Sequence, residues 1–175
     1  MNLTDSQTKT KKIAYLGLLV AVGMIFSYVE SLLPFDFGIP GVKLGIANIV
    51  TVITLYIFSY KEAYIVSILR VILTSILFAN VFSLLYSLCG GLISLSFMII
   101  AKRYNKLSIV GVSVVGGVFH NVAQLVVASL IVNQLKVTYY GPILIISGVV
   151  TGGIVGIIAC VMKNKLKHMF DYGNL

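Results

Sequence analysis

Apolar runs broken by short polar stretches repeat along the chain from about residue 13 to residue 162. A helix rises 1.5 Å per residue, so about 20 apolar residues cross a hydrocarbon core of about 30 Å. The runs fall at about 13–33, 44–58, 63–78, 82–101, 107–132 and 142–162. Their length and spacing predict an all-α integral membrane protein, a six-transmembrane-helix bundle forming one membrane domain over 1–175, with polar tails at 1–11 and 163–175. The first run is read as a span, not a cleavable leader, because no small-residue cleavage site follows it. The N-terminal tail, MNLTDSQTKT, reads as polar and frayed.

The breaks carry their own information. Lys11 and Lys12 open the first run, and Pro34 closes it, since proline cannot continue a helix interior. The loop PFDFGIPGVK follows, with Phe35, Asp36, Phe37 and Lys43; it reads as a lid over a pocket. The second run is short for a crossing and holds Asn48, Thr51 and Thr54, which suits a helix shielded by its neighbours and not by lipid. Tyr60, Lys61 and Glu62 read as a turn, Asn80 as another, and Asn133 to Gly141 as an interfacial loop with Lys136 and two tyrosines.

Two runs contain groups that lipid cannot satisfy. In the fifth, His120, Asn121 and Gln124 lie within one stripe of a helix, at i, i+1 and i+4. They serve either as interhelical hydrogen bonds or as the polar wall of a ligand site. Arg70 lies in the middle of the third run, where a charge costs about 2.5–3.5 kcal/mol unless it finds a partner or water. It is either a structural ion pair, with Glu30 as the candidate partner, or a fixed positive charge for an anionic substrate group. Asn48, Lys43 and Asp36 lie toward the mouth of the same region. Candidate substrate-binding residues are therefore His120, Asn121, Gln124, Arg70, Asn48, Lys43 and Asp36.

Small residues recur four apart: Gly148, Gly152 and Gly156 on the sixth run, and Ser83, Ser87 and Gly91 on the fourth. Such ridges let helix backbones approach closely. Ala14, Gly17 and Ala21 form a similar face on the first run, for internal packing or for docking another membrane protein.

Composition agrees with the pattern: 59% of residues are hydrophobic, 10% charged, and the mean hydropathy is +1.05. The net charge of +8 does not point to nucleic acid, because the charges gather at the helix ends. With six spans, the side bearing both termini holds ten basic residues, from Lys9, Lys11, Lys12 and Lys61 through Lys102, Arg103 and Lys106 to Lys163, Lys165 and Lys167. The other side holds Lys43 and Lys136. The positive-inside rule places both termini in the cytoplasm and the PFDFGIPG loop outside.

Catalytic signatures are missing. There is no G-x-x-x-x-G-K-[ST] for a nucleotide phosphate, and the three aspartates lie far apart in sequence. Cys89 and Cys160 lack metal-ligand spacing, and no haem, iron–sulfur or flavin-attachment motif is present. No enzyme activity, metal or cofactor is expected; a membrane binding protein is, with a small-molecule substrate and lipid as partners.

One family combines these features. Lys43-Leu44-Gly45-Ile46-Ala47-Asn48, Arg70, and His120-Asn121 with Gln124 resemble the family called heptaprenyl diphosphate synthase component I, or Gx transporter family. More broadly, the chain resembles the substrate-binding (S) components of energy-coupling-factor transporters. That resemblance implies a bundle that captures a small molecule outside and passes it inward when docked on a transmembrane coupling protein with ATPase subunits. The docking face would be that of Ala14, Gly17 and Ala21. The synthase label implies an alternative, a noncatalytic membrane partner of an isoprenoid or quinone pathway enzyme, although the aspartate-rich motifs of prenyl diphosphate synthases are lacking. A structural subunit of a membrane redox assembly is a third reading. The orientation is open to direct test: reporter fusions at Leu175 and near Lys136 should report opposite compartments, and one compartment for both would end the six-span topology.

Overall fold

The computed structural model describes residues 3–32, 45–78 and 80–170. They form six α-helices and a short 3₁₀ helix: α1 (Leu3–Leu32), α2 (Asn48–Ile57), α3 (Tyr60–Phe78), α4 (Val81–Arg103), α5 (Ile109–Val132), the 3₁₀ helix (Leu135–Tyr140) and α6 (Gly141–Phe170). Four stretches are long and apolar enough to cross a membrane: Lys9–Leu32, Val81–Arg103, Ile109–Val132 and Lys136–Lys163. α3 has 19 residues but carries Lys61, Glu62 and Arg70. Large apolar side chains such as Ile13, Ile76, Leu130 and Ile146 point outward, as a lipid-facing surface requires.

α2 lies at the centre. It has 10 residues, about 15 Å of helix, and every residue from Asn48 to Leu55 is buried. It packs against α1, α3, α4 and α6. Its sequence, NIVTVITLYI, is rich in β-branched residues of modest helix propensity, so burial among its neighbours must hold it helical. A helix buried this way has to satisfy its end groups without water. The Glu30 carboxylate accepts hydrogen bonds from the backbone N–H groups of Gly45 and Ile46 at the approach to α2. At the other end Lys102 Nζ donates to the Leu55 carbonyl at 2.7 Å. An acid at the N-terminus and a cation at the C-terminus also suit the helix dipole. Thr54 satisfies its hydroxyl within the helix, donating to the Val50 carbonyl at 2.7 Å.

α5 and α6 meet backbone to backbone. A Cβ at Gly148 would lie 2.8 Å from the Gly117 carbonyl oxygen, one at Gly152 2.8 Å from that of Ser113, and one at Gly156 2.7 Å from Val110 Cα. The four-residue glycine spacing is thus an α5–α6 seam. α4 joins α5 through Ser94 Oγ, which donates to the Gly116 carbonyl at 2.8 Å, and through the stacked rings of Phe97 and Phe119. α3 joins α4 through a 2.7 Å hydrogen bond between the Tyr64 and Ser96 hydroxyls.

Several boundaries differ from expectation. α1 begins at Leu3 where a frayed tail was expected, and α6 continues to Phe170. Neither extension contains glycine or proline, so nothing stops the helix propagating out of its span. The expected loop after α5 contains the 3₁₀ helix, beyond Asn133, whose left-handed φ of 51° ends α5. The turn expected at Tyr60–Glu62 is already helix. Ser59 caps α3: its hydroxyl accepts from Lys61 N, while Glu62 reaches back to accept from Ser59 N at 3.2 Å. This reciprocal S-x-x-E pairing is a capping box.

Two predictions follow from these contacts. Gly152→Leu should pry the seam apart and lower stability by about 1–3 kcal/mol. Gly153→Leu, where a Cβ meets nothing within 4 Å, should be nearly neutral. Thermal unfolding in nanodiscs compares them, and equal effects would refute the seam. The second concerns Glu62, in the first turn of α3 outside the span, which pairs with Lys12 of α1 at 2.7 Å. Hydrogen bonds from Lys12 and Ser59 hold its carboxyl down at about 2, against an ordinary 4.5. A depressed carboxyl pKa stabilises the fold above the unfolded value, and that contribution disappears as pH falls through the folded one. The stability difference between the protein and Glu62→Gln, worth up to about 1 kcal/mol for such a pair, should therefore be full above pH 4.5 and shrink toward pH 2. A pH-independent difference would show that the ion pair contributes nothing.

Candidate functional site

A cavity of about 360 Å³, counting its open mouth, lies where the C-terminal end of α1, the N-terminal end of α2 and the middle of α3 converge. α1 contributes Ser27 and Glu30, one turn apart; Gly45 and Asn48 come from the start of α2; α3 presents Arg70 and Thr74, also one turn apart. Ser87 of α4 and His120 of α5 complete the polar wall. All of this lies at the opposite end of the bundle from Lys12, Glu62 and Lys102.

Arg70 dominates the site. It is 6% exposed, and its Nη1 donates to Ser27 Oγ at 2.9 Å. Glu30 shares the cavity wall and lies near enough for its charge to act on the guanidinium. Gly23 makes the space: a Cβ there would come within 2.5 Å of Arg70 Cδ. Arg70 Nε and Thr74 Oγ1 are buried and have no hydrogen-bond partner among the described residues. A buried donor left unmatched costs about 1–3 kcal/mol, so two of them on one cavity wall suit an acceptor brought by something else.

His120, 4% exposed, is wedged between two glycines. A Cβ at Gly45 would lie 3.3 Å from its Cδ2, and one at Gly90 2.9 Å from its Cε1. Gly45 also has φ +82°, a conformation that favours glycine.

The expected site residues divide into three groups. Arg70, Asn48 and His120 meet at the cavity. Asn121 and Gln124 are buried but do not line it: Asn121 Nδ2 donates to the Leu144 carbonyl of α6 at 2.8 Å, and Gln124 packs beside Gly90. Asp36 and Lys43, with Phe35, Phe37 and the rest of the expected lid, lie outside the described residues. Ser27, Gly45, Ser75 and Ser87 line the cavity without having been singled out for it. A sequence signal existed for part of this wall: Gly23, Ser27 and Glu30 fall at i, i+4 and i+7, one face of α1. Ala14, Gly17 and Ala21 lie on the exposed face of α1, and a Cβ at Gly17 would meet nothing within 4 Å. Among the described residues, no three histidines, cysteines or carboxylates gather as a metal site would need.

Comparison with known proteins agrees with this architecture. A solved structure described as the S component of a bacterial ECF transporter has a similar fold, with a TM-score of 0.63 at 16% identity, covering 93% of this chain and 99% of that one. No curated protein matches the sequence. The family described as heptaprenyl diphosphate synthase component I matches residues 19–162, most of the chain, and the protein belongs to that family.

Proposed function

We propose that the protein is the substrate-binding membrane subunit of an importer of the energy-coupling-factor type, and that it binds a small molecule through an anionic or strongly accepting group at Arg70. The observation that carries this reading is the pair of unmatched buried donors, Arg70 Nε and Thr74 Oγ1, on the wall of a cavity. Its fold, shared with an S component, supports the same reading. The asymmetry of basic residues orients the cavity outward, with both termini in the cytoplasm. Ser27 and Arg70 then hold the anionic group, and Asn48 and His120 contact the body of the ligand. Asn121 and Gln124 back the site from α5. The exposed small-residue face at Ala14, Gly17 and Ala21 is where a coupling protein with ATPase subunits would dock. The role is binding, not catalysis. The family's description favours a second reading, a noncatalytic membrane partner of a prenyl diphosphate synthase.

Native mass spectrometry of gently purified protein tests both readings. A co-purifying small molecule bearing a carboxylate or similar group is expected, and Arg70→Gln should weaken its binding by about 1–3 kcal/mol, roughly 5- to 150-fold. Thr74→Val should weaken it less. A prenyl diphosphate in the cavity would instead support the second reading, and a ligand bound equally well by Arg70→Gln would remove the assigned site.

A further inference from the structure

A second cavity, of about 230 Å³ counting its open mouth, lies further along the bundle. Gly45 and Asn48 line both cavities. The same helix stripes continue from one to the other. On α2, Asn48 is followed one turn on by Val52. On α4, Ser87 faces the first cavity, while Ser94 and Met98, seven and eleven residues on, face the second. On α5, His120 faces the first and Ser113, seven residues earlier, the second. The two cavities thus lie one beyond the other along the helices, with Gly45 and Asn48 between them. Only the outer wall changes, from α1 and α3 around the first section to α6 around the second. From His120 to Ser113 the two cavities together span about 10 Å along α5.

Its chemistry changes with depth. The upper section holds the guanidinium of Arg70. The lower section is lined by Val52, Met98 and Val155, and its walls include glycine backbone at the α5–α6 seam. At its far end the Ser113 hydroxyl, 2% exposed, has no hydrogen-bond partner among the described residues. A mainly apolar section with one unmatched hydroxyl suits a slim stem that ends in a polar atom.

We infer that the two cavities join past Asn48 into one slot that takes one elongated molecule, with an anionic head at Arg70 and Thr74, a slim and mainly apolar stem passing Asn48, and a terminal hydroxyl or other small polar group at Ser113. This rests on the proposed reading of the first cavity and adds the shape and far end of its ligand. Thermal unfolding in nanodiscs, titrated with acetate, hexanoate, decanoate and ω-hydroxydecanoate, provides the test. Apparent affinity should rise with chain length, by roughly fourfold per methylene buried, and ω-hydroxydecanoate should exceed decanoate. Gly116→Ala should block the lower section. Its Cβ would come within 2.6 Å of Met98 Sδ and 3.2 Å of Ser94 Oγ, and the flexible methionine end can yield into the cavity. That variant, or Val155→Leu should it fail to fold, is expected to bind acetate as before but to lose the gain with length. Ser113→Ala should remove only the preference for the hydroxylated probe. Acetate binding that is lost in Arg70→Gln, with no dependence on length, would overturn the elongated ligand and leave the first cavity's reading standing. No stabilisation by any carboxylate would overturn both. A length effect that Gly116→Ala and Val155→Leu leave intact would place the chains in lipid and not in the slot, and would also overturn the inference.

Discussion

A helix that ends inside a membrane protein must have its terminal N–H and C=O groups satisfied by protein. α2 meets that constraint at both ends with charge: Glu30 from α1 receives the backbone at its start, and Lys102 from α4 reaches the Leu55 carbonyl at its finish. Each charge is in turn held by the helix it serves, in a bundle that would otherwise find a buried carboxylate costly. The arrangement ties three helices together through α2, and the remaining packing is built around it.

The shortness of α2 also bears on the site. A helix of 10 residues covers about half the thickness of a bilayer, and the cavity lies at its N-terminal end. Arg70, Thr74, His120 and Ser27 project into that space from α3, α5 and α1. Each is expensive to bury alone, and together they make a wall with capacity to spare. The short α2 and the polar cavity thus go together: Ser27, Asn48, Arg70, Thr74 and His120 gather where the buried helix begins.

Much of this was legible in the sequence. The period and length of the apolar runs indicated six helices, and the short polar second run indicated a helix shielded by protein. Arg70 and His120 stood out because lipid cannot satisfy them. The division of the fifth-helix stripe was not legible. His120 and Asn121 are adjacent in sequence, but successive residues on a helix point about 100° apart, so one faces the cavity while the other turns to α6. Which of two polar neighbours meets a pocket depends on the rotation of the helix, and the seam of Gly148, Gly152 and Gly156 sets that rotation by contacts distant in sequence. The role of Glu30 was hidden for a similar reason. Its carboxylate serves backbone N–H groups, which carry no sequence signal of their own. The helical start of α1 departs from the fraying its polarity suggests, because lysine, glutamine and threonine without glycine or proline do not stop a helix.

The glycine seam gives the bundle an uneven stiffness. At Gly148, Gly152 and Gly156 α6 meets α5 largely through main chain, which has no rotamer to change, so that pair has little freedom to slide or tilt. α1 has no such seam. It rests on α2 and α3, tied by a hydrogen bond from Arg70 at one level and an ion pair from Lys12 at another. The cavity is therefore bounded by one hard wall and one soft wall. On the proposed reading, a ligand passing Arg70 would do so most cheaply by displacing α1, the helix whose outer face also carries Ala14, Gly17 and Ala21. A partner pressing on that face would be pushing on the compliant side of the container.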